Sequence, residues 1–145
     1  MEERLYSPLN KEHLHIWDYT CTIIYQKACI KLKYETEPPH GGFIYSVKIT
    51  IDEAEGLFPF WIYGRNVFFY DNYIVMEGMK SNEGYRPPLH TVIINLVSKQ
   101  YTEIKDWYCD FCAENGILIL KNKYTKVDIE LKNPERLDWY PIFMK

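Results

Sequence analysis

The sequence predicts a mainly β fold: a single-domain antiparallel meander, either a sandwich or a partly open barrel, with about nine or ten strands and one or two short helical turns. Three observations support this prediction. Tyr, Phe and Trp make up 17% of the 145 residues, with 13, 7 and 4 copies, and aromatic side chains favour strands. Several segments alternate apolar and polar residues with a period of two, and short turn signals separate them. A chain of this length forms one domain, here residues 1–145, and can bury a core without cross-links.

The predicted strands are of two kinds. Three segments alternate apolar and polar residues, as expected when one face of a strand is buried and the other meets water: 30–35, 43–52 and 126–131. Residues 66–70 and 73–76 are instead apolar at consecutive positions, which predicts central strands covered on both faces. Asp71-Asn72 between them predicts a tight hairpin turn.

Further turn signals divide the rest of the chain. Asn115-Gly116 is the strongest hairpin signal and leads into an apolar strand at 117–120. The same pattern predicts strands at 91–96 and 100–104 with a turn at 97–99 between them, and a further turn at Asn122-Lys123.

Short helical turns and loops complete the pattern. Ser7-Pro8 and Asn133-Pro134 each pair a helix-capping residue with proline at the first helical position, which predicts one or two turns of helix. The segments 37–42 and 81–88 contain paired prolines and glycine. They predict exposed loops, because proline removes donors from a strand ladder.

Composition and charge argue against several classes of function. The chain carries 17 Lys+Arg against 20 Asp+Glu, a formal net charge of −3. This balance disfavours nonspecific nucleic-acid binding, which rests on clustered basic residues. No apolar run approaches the ~18 residues that cross a bilayer, and the acidic N-terminus does not resemble a secretory signal. We therefore expect a cytoplasmic protein that binds neither nucleic acid nor membrane.

Four cysteines raise the question of a metal or redox site. Cys109 and Cys112 form a C-x-x-C pair, and Cys21 with Cys29 could complete the four ligands that structural zinc prefers. Against zinc, positions i and i+3 of a strand point to opposite faces. Against redox chemistry, no helix pattern follows Cys112. We expect ordinary thiols in a reducing compartment, with no metal and no cofactor, and the zinc and redox readings stay open as alternatives.

The four histidines do not form a recognisable catalytic pattern. His13 and His15 would share a strand face, but no acidic third ligand follows at a metal-binding spacing. His40 and His90 stand beside proline-containing loops with no visible partner. The chain lacks the motifs of hydrolases, metalloproteases and nucleotide-binding enzymes. We therefore expect a protein with no catalytic residues.

Acidic residues interleaved with large aromatics are the most informative functional feature. Residues 103–114 read EIKDWYCDFCAE, and a second acidic corner precedes apolar residues at 57–60. We predict that these segments bind a partner, since Trp and Tyr anchor interfaces and carboxylates attract a basic protein. The alternative is that they are solvated turn acids beside core aromatics. The predicted partner-binding residues are Glu103, Asp106, Trp107, Tyr108, Asp110, Glu114, Asp52, Glu53 and Glu55.

Three apolar hairpin segments carry a resemblance to a known group of proteins: VFFYDNYIVMEG (67–78), TVIINL (91–96) and GILIL (116–120). In a small, acidic, β-rich domain without a catalytic motif, they resemble the immunity proteins of bacterial polymorphic-toxin and contact-dependent inhibition systems. The resemblance implies a non-catalytic inhibitor, monomeric or in a heterodimer with its partner, that binds a cognate toxin domain tightly. It would block the toxin's active site or the approach of substrate. A nuclease toxin is typically basic, which fits the acidic corners.

Two other functions stay open at this point. A small-ligand-binding β-barrel would line its lumen with Tyr, Trp and Phe. A carbohydrate-binding module would use Trp61, Trp107 and Trp139 as stacking platforms, and it requires exposed, coplanar indoles.

Overall fold

The structure is a computed structural model that describes residues 3–37, 42–80 and 89–144, with side chains up to residue 142. The predicted loop at 81–88 lies outside the described residues, and so does most of the predicted loop at 37–42, including His40.

The described residues form fifteen strands and one 3-10 turn. The first six strands are β1 (Arg4–Tyr6), β2 (Glu12–Leu14), β3 (Thr20–Tyr25), β4 (Ala28–Thr36), β5 (Ile44–Ile51) and β6 (Ala54–Leu57). The next four are β7 (Phe60–Tyr70), β8 (Tyr73–Lys80), β9 (His90–Asn95) and β10 (Gln100–Ile104). The last five are β11 (Asp110–Glu114), β12 (Ile117–Asn122), β13 (Val127–Leu131), β14 (Tyr140–Pro141) and β15 (Phe143–Met144), with the 3-10 turn at Pro134–Arg136 between β13 and β14.

The strands form two sheets. The main sheet has twelve strands, and its path runs β1-β3-β4-β5-β7-β8-β9-β10-β14, with β2 added to β7 and with β6 added to both β5 and β15. The second sheet is the three-stranded meander β11-β12-β13. All pairs are antiparallel except β1 with β3. The main sheet is open rather than closed into a barrel, and the predicted mainly β antiparallel fold is confirmed.

Two details differ from the sequence-based expectation. Ten strands have five or more residues, in line with the expected number, and five more have only two to four. Such short strands leave no room for an alternating pattern. The segment at Ser7-Pro8 is irregular rather than helical and leads to a turn at Asn10-Lys11, because β1 and β2 pair with different strands on either side of it. The turn at Asn133-Pro134 is confirmed.

The predicted hairpins at the centre of the chain are confirmed. Asp71-Asn72 connects β7 to β8, and Asn115-Gly116 connects β11 to β12. Asn115 and Gly116 have φ values of 51° and 77°, the left-handed geometry that favours Asn and Gly in two-residue hairpins.

Two packed layers explain why β7 and β8 are apolar on both faces. One face of the main sheet buries a large cluster that includes Tyr45, Phe60 and Phe69. On the opposite face, Phe68 and Val75 join a second cluster with side chains of the three-stranded sheet. Burial of this second cluster fixes the three-stranded sheet against the middle of the main sheet, and only its outer face remains in contact with water.

Candidate functional site

The outer face of the three-stranded sheet carries a concentration of carboxylates. Along β11 and β13 the residues alternate, so that one set packs into the second core cluster and the other set points to water. The residues that point to water include four exposed acids, and we call this surface the acidic face: Asp110, Glu114, Asp128 and Glu130.

The register of the hairpins sets the arrangement of these acids. Lys121 of β12 lies opposite Asp110 on one side and Asp128 on the other. In the next row Ile119 lies between Cys112 and Glu130. The four carboxylates therefore form two stripes, one on each edge strand, with a single lysine of the central strand between them.

Three further lysines stand at the margin of the acidic face, all exposed: Lys132 after β13, and Lys123 and Lys126 on the β12–β13 turn. Lys132 Nζ lies 3.8 Å from Glu130 Oε2, and both side chains are more than half exposed. An ion pair of this kind is screened by water, so the face keeps its negative character.

The centre of the acidic face is apolar. Ile119 is buried, and Ile117 and Cys112 are half-buried beside it. Burial raises the pKa of the Cys112 thiol, Lys121 lowers it, and the nearby carboxylates of Glu114 and Asp110 raise it further. The thiol is therefore neutral at physiological pH, and the centre offers apolar surface ringed by negative charge.

The predicted segment 103–114 is divided by the structure. Asp110 and Glu114 lie on the acidic face, and Asp106 is exposed on the crossover between the two sheets. Trp107 on the same crossover is half-buried, and its ring stacks on Tyr124 with centroids 5.7 Å apart.

Two residues of that segment, which the sequence predicts to bind a partner, are turned away from solvent. Tyr108 is only 5% exposed, because its ring packs into the core between the sheets with Phe111. Glu103 is also turned away: its Oε2 lies 2.5 Å from His90 Nδ1, and both side chains are mostly buried.

The second predicted acidic corner belongs to the main sheet. Asp52 and Glu53 form the turn between β5 and β6, and Glu55 is half-buried on β6. Lys27 and Lys99 place their Nζ atoms 3.4 and 3.3 Å from Asp52 Oδ2. Burial raises the pKa of Asp52, but the hydrogen bonds from these two lysines outweigh it and hold the pKa below its usual value. The corner is therefore locally neutralised and is not an extension of the acidic face.

Asp128 and Glu130 were not among the predicted partner-binding residues, although a signal for them exists. The alternation over 126–131 places both on the water-facing side of a strand, and the Asn122-Lys123 turn signal places that strand beside β12. Together with the Asn115-Gly116 hairpin, which pairs β11 with β12, these two signals place all four acids on one surface.

A buried charge network supports the crossover. Glu77, in the middle of β8, is fully buried. Its carboxylate accepts hydrogen bonds from Arg65 Nε at 2.8 Å, Arg65 Nη2 at 2.6 Å and Trp107 Nε1 at 2.6 Å. The Arg65 guanidinium lies 4.5 Å from the centre of the Tyr63 ring, and the bond to Glu77 raises its pKa. Glu77 therefore links Arg65 to Trp107, and this network positions Trp107.

The cysteines are not brought together. Cys21 and Cys29 lie on β3 and β4 of the main sheet, whereas Cys109 and Cys112 lie at the second sheet. Within the part of the chain that the structure describes, no group of three or more His, Cys, Asp or Glu side chains is placed to hold a metal ion.

The histidines have separate partners. His13 Nδ1 lies 3.0 Å from Asn66 Oδ1, and His15 Nδ1 is bonded to the carbonyl of Arg65. They are therefore occupied by different groups rather than aimed at a common point.

The three tryptophans of the carbohydrate-binding alternative lie in different surroundings. Trp61 packs with Tyr63 on the main sheet, Trp107 belongs to the Glu77 network, and Trp139 packs against the core between the sheets. Each is half-buried. They do not form a common stacking platform.

Comparison with known proteins finds no matching family model, no matching curated protein and no matching solved structure. Among the described residues, no helix is long and apolar enough to cross a membrane.

Proposed function

We propose that this chain is a non-catalytic, protein-binding inhibitor, an immunity protein that neutralises a basic toxin domain by holding it against the acidic face. The observation that carries the proposal is the outer face of β11–β13. There, four exposed carboxylates surround an apolar centre at Ile119 and Cys112.

The two parts of this surface have different physical roles. The carboxylates create a negative field that attracts a basic partner over a Debye length of about 8 Å and raises the association rate. The half-buried side chains of Ile117 and Cys112 supply the apolar surface that a partner would bury, which slows dissociation. The sheet behind it is held by the core between the sheets, so little conformational freedom is lost on binding.

The size of the face indicates that neighbouring residues take part. Five residues along each of the three strands cover roughly 17 by 14 Å, about 240 Å², whereas a stable interface buries about 800 Å² on each partner. The crossover with Asp106 and Trp107 lies next to the row formed by Asp110 and Lys121, and Tyr124 on the β12–β13 turn stacks on Trp107. We therefore place these three residues at the border of the interface.

The proposal is tested by binding. If a gene immediately next to the one for this chain encodes a toxin, its toxin domain is the partner to measure. We compare the unchanged chain with a variant that carries Asp110→Lys, Asp128→Lys and Glu130→Lys. A matched control carries the same charge change on exposed acids elsewhere, Glu3→Lys, Glu53→Lys and Glu135→Lys.

We expect the acidic-face variant to bind at least about 100-fold more weakly than the control, since like-charge contacts cost several kcal/mol. Equal affinities of the two variants would remove the acidic face from the interface. Failure of the unchanged chain to bind or neutralise the toxin domain would refute the inhibitor function itself.

A second candidate, a small-ligand carrier, is favoured by one observation. An apolar groove of about 330 Å³ at the surface is lined by Leu57, Phe58, Pro59, Tyr101 and Pro141, a volume that suits a small ligand. Binding of the dye 1-anilinonaphthalene-8-sulfonate that is lost in Leu57→Asp would support this function. Dye binding that Leu57→Asp leaves unchanged would count against it.

A further inference from the structure

Four aromatic rings form a cluster beside strands β3, β4 and β5 of the main sheet, which take no part in the acidic face. Trp17 and Tyr19 are 59% and 69% exposed, and Tyr34 and Phe43 are half-buried beside them. We call these four residues the aromatic patch. Tyr19 stacks on Phe43 with ring centroids 5.5 Å apart. Tyr34 meets both rings edge-on, at 5.3 and 4.8 Å, and Trp17 meets Phe43 edge-on at 5.9 Å.

The segment that presents Trp17 is held in place by its neighbours. Ile16 is fully buried, and its N–H donates to the carbonyl of Gly64 at 2.7 Å. The Tyr45 hydroxyl donates to the carbonyl of Asp18 at 2.6 Å. The patch is therefore fixed before any partner binds, which lowers the entropy lost on binding.

Tyr19 is fixed by the neighbouring strand. The N–H of Tyr34 donates to the Tyr19 carbonyl at 2.7 Å. The side chain nevertheless remains mostly in water. Large exposed aromatic surface of this kind marks interaction sites.

Carboxylates surround the aromatic patch. The Tyr34 hydroxyl donates to Glu37 Oε1 at 3.1 Å, and the Tyr6 hydroxyl donates to Asp18 Oδ2 at 2.5 Å. Aromatic faces attract cations, and adjacent carboxylates strengthen that attraction.

The chain itself shows this chemistry nearby. The Arg4 guanidinium lies over the Tyr6 ring, 4.8 Å from its centre, next to the Asp18 carboxylate that Tyr6 contacts. A guanidinium from a partner would meet the same combination of ring and carboxylate at Tyr34 and Glu37.

We propose that the aromatic patch is a second docking surface, which takes arginine side chains of a basic protein segment. A neutral sugar is disfavoured, because it stacks on coplanar rings, whereas Tyr34 stands at 85° and 70° to Tyr19 and Phe43. Trp17 and Tyr19 lie between β2 and β3, Tyr34 lies on β4, and Phe43 directly precedes β5, so the patch is separate from the acidic face on β11–β13. The proposal therefore does not depend on the identity of a toxin.

A hexa-arginine peptide serves as the probe, with cellohexaose as the neutral alternative. The readout is the shift of the Trp17 indole N–H signal in nitrogen-15 NMR spectra of the full chain. We expect hexa-arginine to shift this signal. Trp17→Ala, followed through the Tyr34 amide, is expected to weaken binding at the patch two- to five-fold, the usual worth of one exposed cation–π contact.

Two control variants locate the effect. Tyr140→Ala removes another exposed tyrosine and is expected to leave binding at the patch unchanged. The acidic-face variant is expected to retain the Trp17 response, which separates this proposal from the inhibitor function. A Trp17 signal that responds to cellohexaose instead, or a Tyr34 response that is unaffected by Trp17→Ala, would overturn the proposal.

Discussion

The carboxylate of Glu77 is the most deeply buried charge among the described residues, and Arg65 and Trp107 supply its three hydrogen bonds. A buried acid of this kind is tolerated only when it is paired. Its role is structural: it joins the middle of the main sheet to the crossover that leads into β11. Because the crossover precedes the acidic face, the network sets where that face begins.

Replacing Glu77 therefore tests the packing between the two sheets. We expect Glu77→Ala to lower the free energy of unfolding by about 3 kcal/mol, since it leaves the Arg65 charge unpaired and Trp107 without its acceptor. Urea denaturation followed by circular dichroism gives the value. Glu53→Ala, an exposed acid, is the control and should unfold like the unchanged chain. A loss as small as that of the control would show that the network does not hold the crossover.

The thiols provide a second test at the scale of residues. Burial, together with the nearby Asp18 carboxylate, raises the pKa of Cys21 to about 12, so only about one thiol in ten thousand is ionised at pH 8. In the folded chain we expect Cys21 to be alkylated by iodoacetamide more slowly than half-buried Cys112. Mass spectrometry of digested protein measures both rates. In urea the two should react alike, and equal rates in the folded chain would contradict the buried position of Cys21.

The sequence correctly predicts which way some side chains point but fails for others, and the failures have a physical reason. Asp110 follows the alternation of a regular strand, whereas Tyr108 and Trp107 lie on an irregular crossover where no period applies. The sequence predicts that Glu103 shares a surface with the neighbouring acids, because they are close to it along the chain. The partner that turns it inward, His90, comes from β9 and is visible only in three dimensions.

At the scale of elements, the irregularity in β7 is the feature with the widest consequences. The pairing of β7 with β8 shifts between Ile62 and Val67, so that residues 63–66 lie opposite Glu77 alone. The extra residues let both Arg65 and Asn66 contact groups on the side of the second sheet. A continuous strand would have sent one of these two side chains into the opposite core.

Gly64 makes this irregularity possible, because a methyl group at its position would lie 2.4 Å from Tyr45 Cε2 and 3.0 Å from the carbonyl of Ile16. We expect Gly64→Ala to cost about 2 kcal/mol of stability through overpacking, measured by urea denaturation. Gly116→Asn is the control: at a φ of 77° Asn is tolerated better than most side chains, and the nearest atom to a Cβ there, Tyr70 Oη, is 4.0 Å away. If Gly64→Ala were as stable as the control, the close packing of β7 on Tyr45 would be wrong.

Hairpins and amphipathic strands could be predicted because their signals are local. Asp71-Asn72 and Asn115-Gly116 specify tight turns within a few residues. The β7 irregularity could not be predicted, because residues 60–70 read as one uninterrupted apolar strand apart from Arg65 and Asn66. Its cause lies in contacts with Ile16 and Tyr45, far away along the chain.

At the scale of the whole molecule, the sequence predicts the fold class but not how the two sheets meet. Apolar residues on both faces of β7 and β8 indicate that something covers each face. They do not indicate that β11–β13 is the covering element, since the sequence pattern of these strands is that of any half-buried hairpin. The acidic face exists only because that sheet packs with its apolar side inward.

A mildly acidic chain can concentrate carboxylates on one surface. Its formal charge is −3 in total, and lysines compensate acids at places such as Asp52. On the acidic face four carboxylates share one central lysine, Lys121, whereas Lys123, Lys126 and Lys132 lie at its margin. Local arrangement rather than net charge therefore determines where a basic partner would bind.

Amide hydrogen exchange of the chain, measured with and without the toxin domain that the proposed function requires, shows directly whether the acidic face binds it. We predict that the partner slows exchange in β11, in β13 and in the turn at residues 123–126 between β12 and β13. Exchange around the Asp52 turn should not change. Protection confined to that turn or to other parts of the main sheet, with β11–β13 unaffected, would contradict the assignment of the acidic face as the inhibitory surface.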